Sequence, residues 1–187
     1  MFRIFTFILI TVVLSLNTGA GGKRTTIEAE KARLINGAIV ISDNVSSGGN
    51  TVKLSRQGQG IQFARLKAGK KLAIRYSSIS VGTINVAVNG QPPKKVNIHS
   101  SGTLTGSFLY AVIDIEIPSG ASLLISISDN DPEVNIDYII TGYGDLNLPP
   151  DIWNLSELPV AAGPYPADWK GISRIYNVPQ WWREAKF

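Results

Sequence analysis

Between residues 25 and 141 the chain consists of short runs in which apolar and polar residues alternate. The stretch 83–88 places its apolar residues on one face, because side chains along a strand alternate with a period of two. It is followed by Asn89-Gly90, a pair typical of turns with positive φ. A second stretch, 111–117, alternates in the same way, and no stretch shows a convincing apolar period of 3.6. The predicted strands are 52–54, 61–66, 71–78, 83–88, 94–98, 110–117, 122–128 and 134–140.

About eight to ten strands with this spacing favour an all-β fold, a two-sheet β-sandwich or jelly roll. Residues 25–142 are expected to form this module. Residues 143–175 contain Pro149, Pro150, Pro159, Pro164 and Pro166 with little alternation, which predicts an irregular, proline-rich linker. An aromatic segment, 176–187, follows the linker.

The first twenty residues have the pattern of an export signal. Arg3 precedes an apolar stretch, 4–16, and the small residues Thr18-Gly19-Ala20 follow it. The stretch is shorter than the roughly 20 residues that a membrane-spanning helix needs. We therefore expect a signal peptide cleaved after Ala20, with an uncleaved N-terminal anchor as the alternative. Either outcome predicts a secreted, periplasmic or cell-surface protein, and cleavage would leave it without a membrane segment.

The composition excludes several kinds of chemistry. There are no cysteines and one histidine, His99, so thiolate sites and histidine-rich zinc sites lack their ligands. The formal charge is +4, and the basic residues are scattered without interleaved aromatic residues. This favours a solvated surface over nucleic-acid binding.

Three carboxylates suggest a metal site. Glu28 and Glu30 would share one face if residues 27–30 form a strand, and Asp137 lies in the last predicted strand. Three carboxylates brought together repel one another unless they are protonated or bridged by a cation, and calcium prefers such oxygen ligands. The alternative is that the strand carboxylates simply face solvent.

Three segments in the same order resemble carbohydrate-binding module families 6 and 35: Ile27-Glu28-Ala29-Glu30, then 45–52, then 134–139. The resemblance covers about residues 25–141. It implies a galactose-binding-like jelly roll with a structural calcium near its first and last strands. The implied ligands are Glu28, Glu30 and Asp137, with a backbone oxygen near Ser47.

The same resemblance implies a glycan ligand bound at loops on one edge of the sandwich. Asn135 would bind sugar hydroxyls through its amide, which both donates and accepts hydrogen bonds. An aromatic ring would pack on the sugar face, and Phe108 and Tyr110 are the candidates, although Tyr110 could equally belong to the core. The sequence departs from the families in having no tryptophan before Trp153.

Residues 176–187 resemble the opening of the catalytic barrel of α-L-fucosidases, glycoside hydrolase family 29. An unrelated amphipathic tail is the alternative. Because a catalytic barrel needs roughly 250 residues, this chain is expected to be non-catalytic and to lie beside a glycosidase domain in its parent protein. A second hypothesis is a structural sandwich that packs on the catalytic domain without binding sugar.

Overall fold

The computed structural model describes residues 24–148, and these form a β-sandwich. Within that range no helix is long and apolar enough to cross a membrane. Short 3-10 turns occur at Ala29–Lys31 and Ser47–Gly49. The strands are β1 (Thr25–Glu28), β2 (Arg33–Ile35), β3 (Ile39–Ser42), β4 (Asn50–Leu54), β5 (Gly60–Phe63), β6 (Gly69–Ser77), β7 (Gly82–Val88), β8 (Lys94–Ile98), β9 (Leu109–Ile117), β10 (Leu123–Ser126) and β11 (Val134–Gly142).

Two antiparallel sheets make up the sandwich. The first has the order β3-β4-β11-β6-β9, with β1 also paired to β11. The second has the order β2-β5-β10-β7-β8. Every strand pair is antiparallel, and the arrangement is the jelly roll expected of a galactose-binding-like domain. The all-β prediction is therefore confirmed.

The main core lies between the two sheets. Most strands contribute alternate side chains to it, as the period of two requires. The largest fully buried side chains include Tyr76, Phe63, Ile74, Leu123 and Ile125. Burying such side chains contributes about 1.5–3 kcal/mol each, so this layer provides most of the stability that holds the loops in place.

A second, smaller cluster covers the outer face of the first sheet. Ala73, Tyr110 and Ile140 are buried there beneath Leu146, and Leu148 packs against them. Arg24 donates to the carbonyl oxygens of residues 146 and 147 at 3.1 and 2.8 Å. The packed unit therefore extends past residue 142, where the sequence predicts the linker to begin.

All eight predicted strands occur, with ends that differ by a few residues. The Asn89-Gly90 turn is also confirmed, with φ values of 50° and 70°. Of the other three strands, β1 was expected only as a strand over residues 27–30, and β2 and β3 were not predicted because both are short and lack a clear apolar alternation. The predicted signal peptide (1–20), the segment 176–187 and most of the linker lie outside the described residues.

Candidate functional site

The candidate site begins where β11 changes partner along one of its edges. Residues 134–136 pair with β4, and residues 138–141 pair with β1. The register with β6 shifts at the same place, between Ile136 and Tyr138. Asp137 is the residue left between these pairings. A bulge of this kind redirects a side chain, and here it turns a fully buried carboxylate toward the ends of β1 and β4.

Ser47 joins two of the predicted carboxylates. Its backbone N–H donates to both Asp137 oxygens, at 3.1 and 3.3 Å. Its hydroxyl donates to Glu28 Oε1 at 2.8 Å. The structure thus brings together Glu28, Ser47 and Asp137, which are far apart in sequence. The prediction that a backbone oxygen near Ser47 binds a metal stays a prediction.

Glu30 lies in the same region, but not on the same strand face as Glu28, as was expected. The strand ends at Glu28, and Ala29–Lys31 form a 3-10 turn, so the expectation that both glutamates share a strand face is wrong. The chain turns here because Ala29 is buried against the core. Glu30 nevertheless faces the Ser47–Gly49 turn, since a Cβ on Gly48 would lie 3.1 Å from Glu30 Oε1.

Arg75 supplies a positive charge beside Asp137. Its guanidinium forms an ion pair with the buried carboxylate and lies 4.1 Å from the centre of the Phe108 ring and 5.5 Å from that of Tyr138. Burial raises the pKa of Asp137 above its ordinary value, against the opposing effect of the Arg75 and Ser47 hydrogen bonds. Sequence reasoning missed Arg75, although a single charge inside the apolar run of β6 could have signalled it.

The carboxylates are not fully compensated. Glu28 Oε2 and Glu30 Oε2 are buried and lack a hydrogen-bond partner. Counted formally, the three carboxylates and the one guanidinium sum to −3 + 1 = −2. No group of three or more His, Asp or Glu side chains within residues 24–148 is assembled closely enough to hold a metal ion. The arrangement is a carboxylate-rich junction with unsatisfied oxygens.

Asn135 lies close by on β11, under the loop between β8 and β9, which we call the 99–108 loop. Asn135 is fully buried, and its amide donates to the backbone carbonyl of Leu104. The Ser77 hydroxyl donates to that same carbonyl at 2.7 Å. The Asn135 Oδ1 atom is buried without a partner. The residue predicted to bind sugar is therefore covered by the chain itself.

A hydrogen bond links the 99–108 loop to the loop between β3 and β4, the 43–49 loop. Asp43 Oδ2 accepts from the Gly106 N–H at 2.8 Å, and Asp43 Oδ1 accepts from the Val45 N–H at 3.0 Å. Asp43 is 5% exposed. Sequence reasoning also missed Asp43, since its partner is a backbone group sixty-three positions away.

The two predicted aromatic residues differ in exposure. Tyr110 is buried in the outer cluster, and its hydroxyl bonds to that of Tyr138. Burial raises the pKa of Tyr110 above its ordinary value, and the Tyr138 hydrogen bond adds to this. Phe108 is partly exposed at the end of the 99–108 loop, next to Arg75. Of the two, Phe108 is the more exposed.

Solved structures share this fold. The chain is similar to an exo-β-1,3-galactanase from Phanerochaete chrysosporium (21% identity, TM-score 0.58, 63% of this chain and 29% of that one). It is similar to an α-1,3-glucanase from Streptomyces thermodiastaticus (19% identity, TM-score 0.55, 66% of this chain and 26% of that one). It is also similar to a family 35 carbohydrate-binding module from Clostridium thermocellum (21% identity, TM-score 0.56, 63% of this chain and 98% of that one).

These likenesses confirm the expected resemblance to carbohydrate-binding modules at the level of the fold. The chain spans less than a third of the length of the two enzymes. No curated protein sequence matches the chain. The predicted resemblance of residues 176–187 to α-L-fucosidases lies outside the described residues and stays a prediction.

A family model, Endotoxin_C, described as delta endotoxin, matches residues 24–140. The matched range coincides with the sandwich, from the residue before β1 into β11. Because this match spans more than half of the chain, the chain belongs to the delta endotoxin family.

Proposed function

We propose that the sandwich is a non-catalytic carbohydrate-binding module whose structure is stabilised by calcium. The observation that carries the proposal is the match to nearly all of a family 35 carbohydrate-binding module, 98% of its length. The shared part thus covers nearly the whole fold of that module. In the two larger enzymes the shared part is a minor portion.

The proposed sugar site is the surface formed by the 43–49 and 99–108 loops above Asn135. Phe108 is the aromatic ring at this surface, and Arg75 beside it contributes hydrogen-bond donors. An aromatic ring packs on the apolar face of a sugar, while Asn135 offers an amide to hydroxyl groups once it is accessible. The buried carboxylates of Asp137 and Asp43 accept hydrogen bonds from backbone N–H groups of these two loops and so help to hold them.

The glycan is tested by titration calorimetry with β-1,3-galactotriose and nigerose, ligands of the similar enzymes, followed by a broad glycan panel. We expect Phe108→Ala to weaken binding about 3- to 10-fold, since it removes a ring stack. Tyr143→Ala is the matched control, because Tyr143 is an exposed aromatic residue, 38% exposed, beyond the end of β11. An intact chain that binds no glycan in the panel would overturn the proposal.

Calcium is supported by the two buried, unpartnered oxygens of Glu28 and Glu30 and by the net negative charge of the junction. Oxygen ligands of this kind suit calcium. The residues that would hold the ion are Glu28, Glu30 and Asp137, with a backbone oxygen near Ser47. As placed, the three carboxylates are not close enough together to hold it, so binding would draw their side chains together. When bound, the ion would neutralise the carboxylates and hold the first and last strands together.

Thermal unfolding after chelation, with and without added calcium, tests this part. A ligand at about 100 times its Kd stabilises the folded state by about 2.7 kcal/mol. We expect Glu28→Gln and Glu30→Gln to abolish the calcium-induced rise in Tm. Glu116→Gln, the same change at an exposed carboxylate, should leave the rise intact. If calcium leaves the Tm of the unaltered chain unchanged, the calcium proposal is wrong.

A structural sandwich without sugar binding is the second candidate. It is favoured by the burial of Asn135 and the use of its amide by Leu104. It is also favoured by the positions of the tryptophans, all of which lie at or after residue 153. The glycan panel separates the two functions, because only the first predicts a bound sugar.

We further propose that the parent protein is a secreted glycosidase, α-L-fucosidase-like, with this module next to its catalytic domain. The support is the sequence resemblance of residues 176–187 together with the occurrence of this fold in larger glycosidases. Sequencing the gene beyond residue 187 tests it. A reading frame that continues into an unrelated domain would rule out this parentage.

A further inference from the structure

Asn135 is covered by the 99–108 loop, and the inference drawn from this rests on the proposed sugar site. Asn135 is fully buried, so no ligand reaches its amide while the 99–108 loop stays in place. The Leu104 carbonyl accepts from the Asn135 amide, which occupies one of the two N–H donors that the amide could offer to sugar hydroxyls. Yet Asn135 Oδ1 is left buried and unpartnered, although a buried acceptor without a hydrogen bond is costly. With the loop in place, the amide nitrogen of Asn135 has a hydrogen-bond partner and the amide oxygen has none.

The two halves of the 99–108 loop are attached differently. The first half is fastened to the segment after β6, where the Ser101 N–H donates to the Ser78 carbonyl at 2.7 Å and the Ser101 hydroxyl donates to it at 3.2 Å. The second half has exposed residues at Thr103, Thr105 and Gly106. It reaches the sandwich through the Leu104 carbonyl and through the Gly106 N–H. A segment held by few contacts opens more readily than a core strand.

Asp43 makes the contact at Gly106. It is a buried carboxylate, and a charge in such a place requires compensation. Its oxygens accept from two backbone N–H groups, those of Val45 and Gly106. Hydrogen bonds to an ionised acceptor are roughly twice as strong as neutral ones. Asp43 therefore fastens the second half of the loop to the 43–49 loop more firmly than a neutral side chain could.

We propose that the 99–108 loop is a closed cover over the Asn135 site and that Asp43 is the positioning residue that holds it closed. Opening the second half of the loop frees the Asn135 amide and the Ser77 hydroxyl together, because both donate to the Leu104 carbonyl. Two adjacent donors and one unpartnered acceptor then face the ligand. Vicinal sugar hydroxyls match such a set, since each both donates and accepts.

The closed cover lowers apparent affinity, because the apparent Kd equals the intrinsic Kd divided by the open fraction. Asp43→Asn tests this. An amide has one oxygen, so one of the two backbone N–H groups loses its acceptor. We expect amide hydrogen exchange at residues 104–107 to become about tenfold faster, and binding of the glycan probe to become up to about tenfold tighter, the change that follows from a tenfold larger open fraction.

The control is Asn89→Gly, which removes a side-chain acceptor from the Ser122 N–H at 2.9 Å. This contact lies at the other end of the sandwich, next to the first residue pair of β7 and β10, Leu123 with Val88. It should change neither loop exchange nor glycan affinity. Glycine also tolerates the positive φ that Asn89 adopts there.

Each outcome is decisive. Faster exchange confined to residues 104–107 with tighter binding of β-1,3-galactotriose or nigerose supports the cover. Faster exchange with unchanged or weaker binding overturns the cover and leaves the proposed sugar site standing. Unchanged exchange in Asp43→Asn overturns the role of Asp43. Faster exchange in a chain that binds no glycan, open or closed, overturns the proposed function together with the cover.

Discussion

Removing Arg75 is the sharpest test of how the candidate site is held together. In Arg75→Met the side chain keeps much of its length, but Asp137 loses its ion pair. Asp137 is fully buried, and the Arg75 side chain is 19% exposed, so water cannot replace the lost charge. Breaking a buried pair by removing one partner typically costs 3–5 kcal/mol. Because the Ser47 N–H still donates to Asp137, we expect a loss at the lower end, about 3 kcal/mol.

The matched control is Lys71→Met on the same strand. Lys71 pairs with Asp114 at 2.7 Å, but the two side chains are 36% and 79% exposed. An exposed pair of this kind contributes little to stability, because water screens the two charges. The assay is urea unfolding at neutral pH with a chelator present, so that no metal ion can substitute for the guanidinium. With a slope of about 2 kcal/mol/M, Arg75→Met should lower the urea midpoint by about 1.5 M, and Lys71→Met by less than about 0.5 M.

A double-mutant cycle separates the ion pair from the stacking of Arg75 on Phe108. In an Asp137→Asn background the buried charge is absent, so Arg75→Met should lose only the cation–π contact, about 1 kcal/mol. The coupling between the two changes should therefore be about 2 kcal/mol. Additivity within about 0.5 kcal/mol would refute the reasoning, because it would mean that Arg75 does not compensate Asp137.

Three further predictions concern the Ser47–Gly49 turn beside the proposed calcium site, stability at alkaline pH and the domain boundary. Gly48→Ala and Gly49→Ala should each cost about 1–2 kcal/mol in urea unfolding, since both have positive φ. Only Gly48→Ala should reduce the calcium-induced rise in Tm, because nothing lies within 4 Å of a Cβ on Gly49; equal calcium responses would contradict this. Burial raises the pKa of Tyr76 from 10.0 to about 12, so its contribution to the free energy of unfolding is fully present below pH 10 and falls by up to about 3 kcal/mol as the pH rises to 12. Tyr76→Phe should reduce this loss of stability at alkaline pH. If the free energy of unfolding of the variant falls as much as that of the unaltered chain over the same pH range, Tyr76 is not the cause. A chain ending at residue 142 should melt at a lower temperature than one ending at 148, because burial of Leu146 is worth about 2 kcal/mol; equal Tm values would place the boundary at 142.

Particular residues show why part of the site was predictable. Glu28 and Asp137 were expected to come together because the resemblance to carbohydrate-binding modules implies a shared site near the first and last strands, and the structure joins them through Ser47. Glu30 was also expected in this site, but the reason given, a strand face shared with Glu28, is wrong. A strand of alternating residues places Glu30 beside Glu28, but the burial of Ala29 turns the chain, and the contact is made through the Ser47–Gly49 turn.

The sequence by itself determined the fold class and most of the strands, because burying one face of a strand is a local requirement that repeats every two residues. The pairing of strands, the bulge at Asp137, the ion pair with Arg75 and the cover over Asn135 were decided only by the tertiary structure. Each of these joins residues far apart in the chain, and the Asp43–Gly106 contact uses a backbone N–H that any residue would offer. The side-chain sequence does not indicate which backbone N–H group a carboxylate will bind. That pairing depends on how the two sheets and their loops pack.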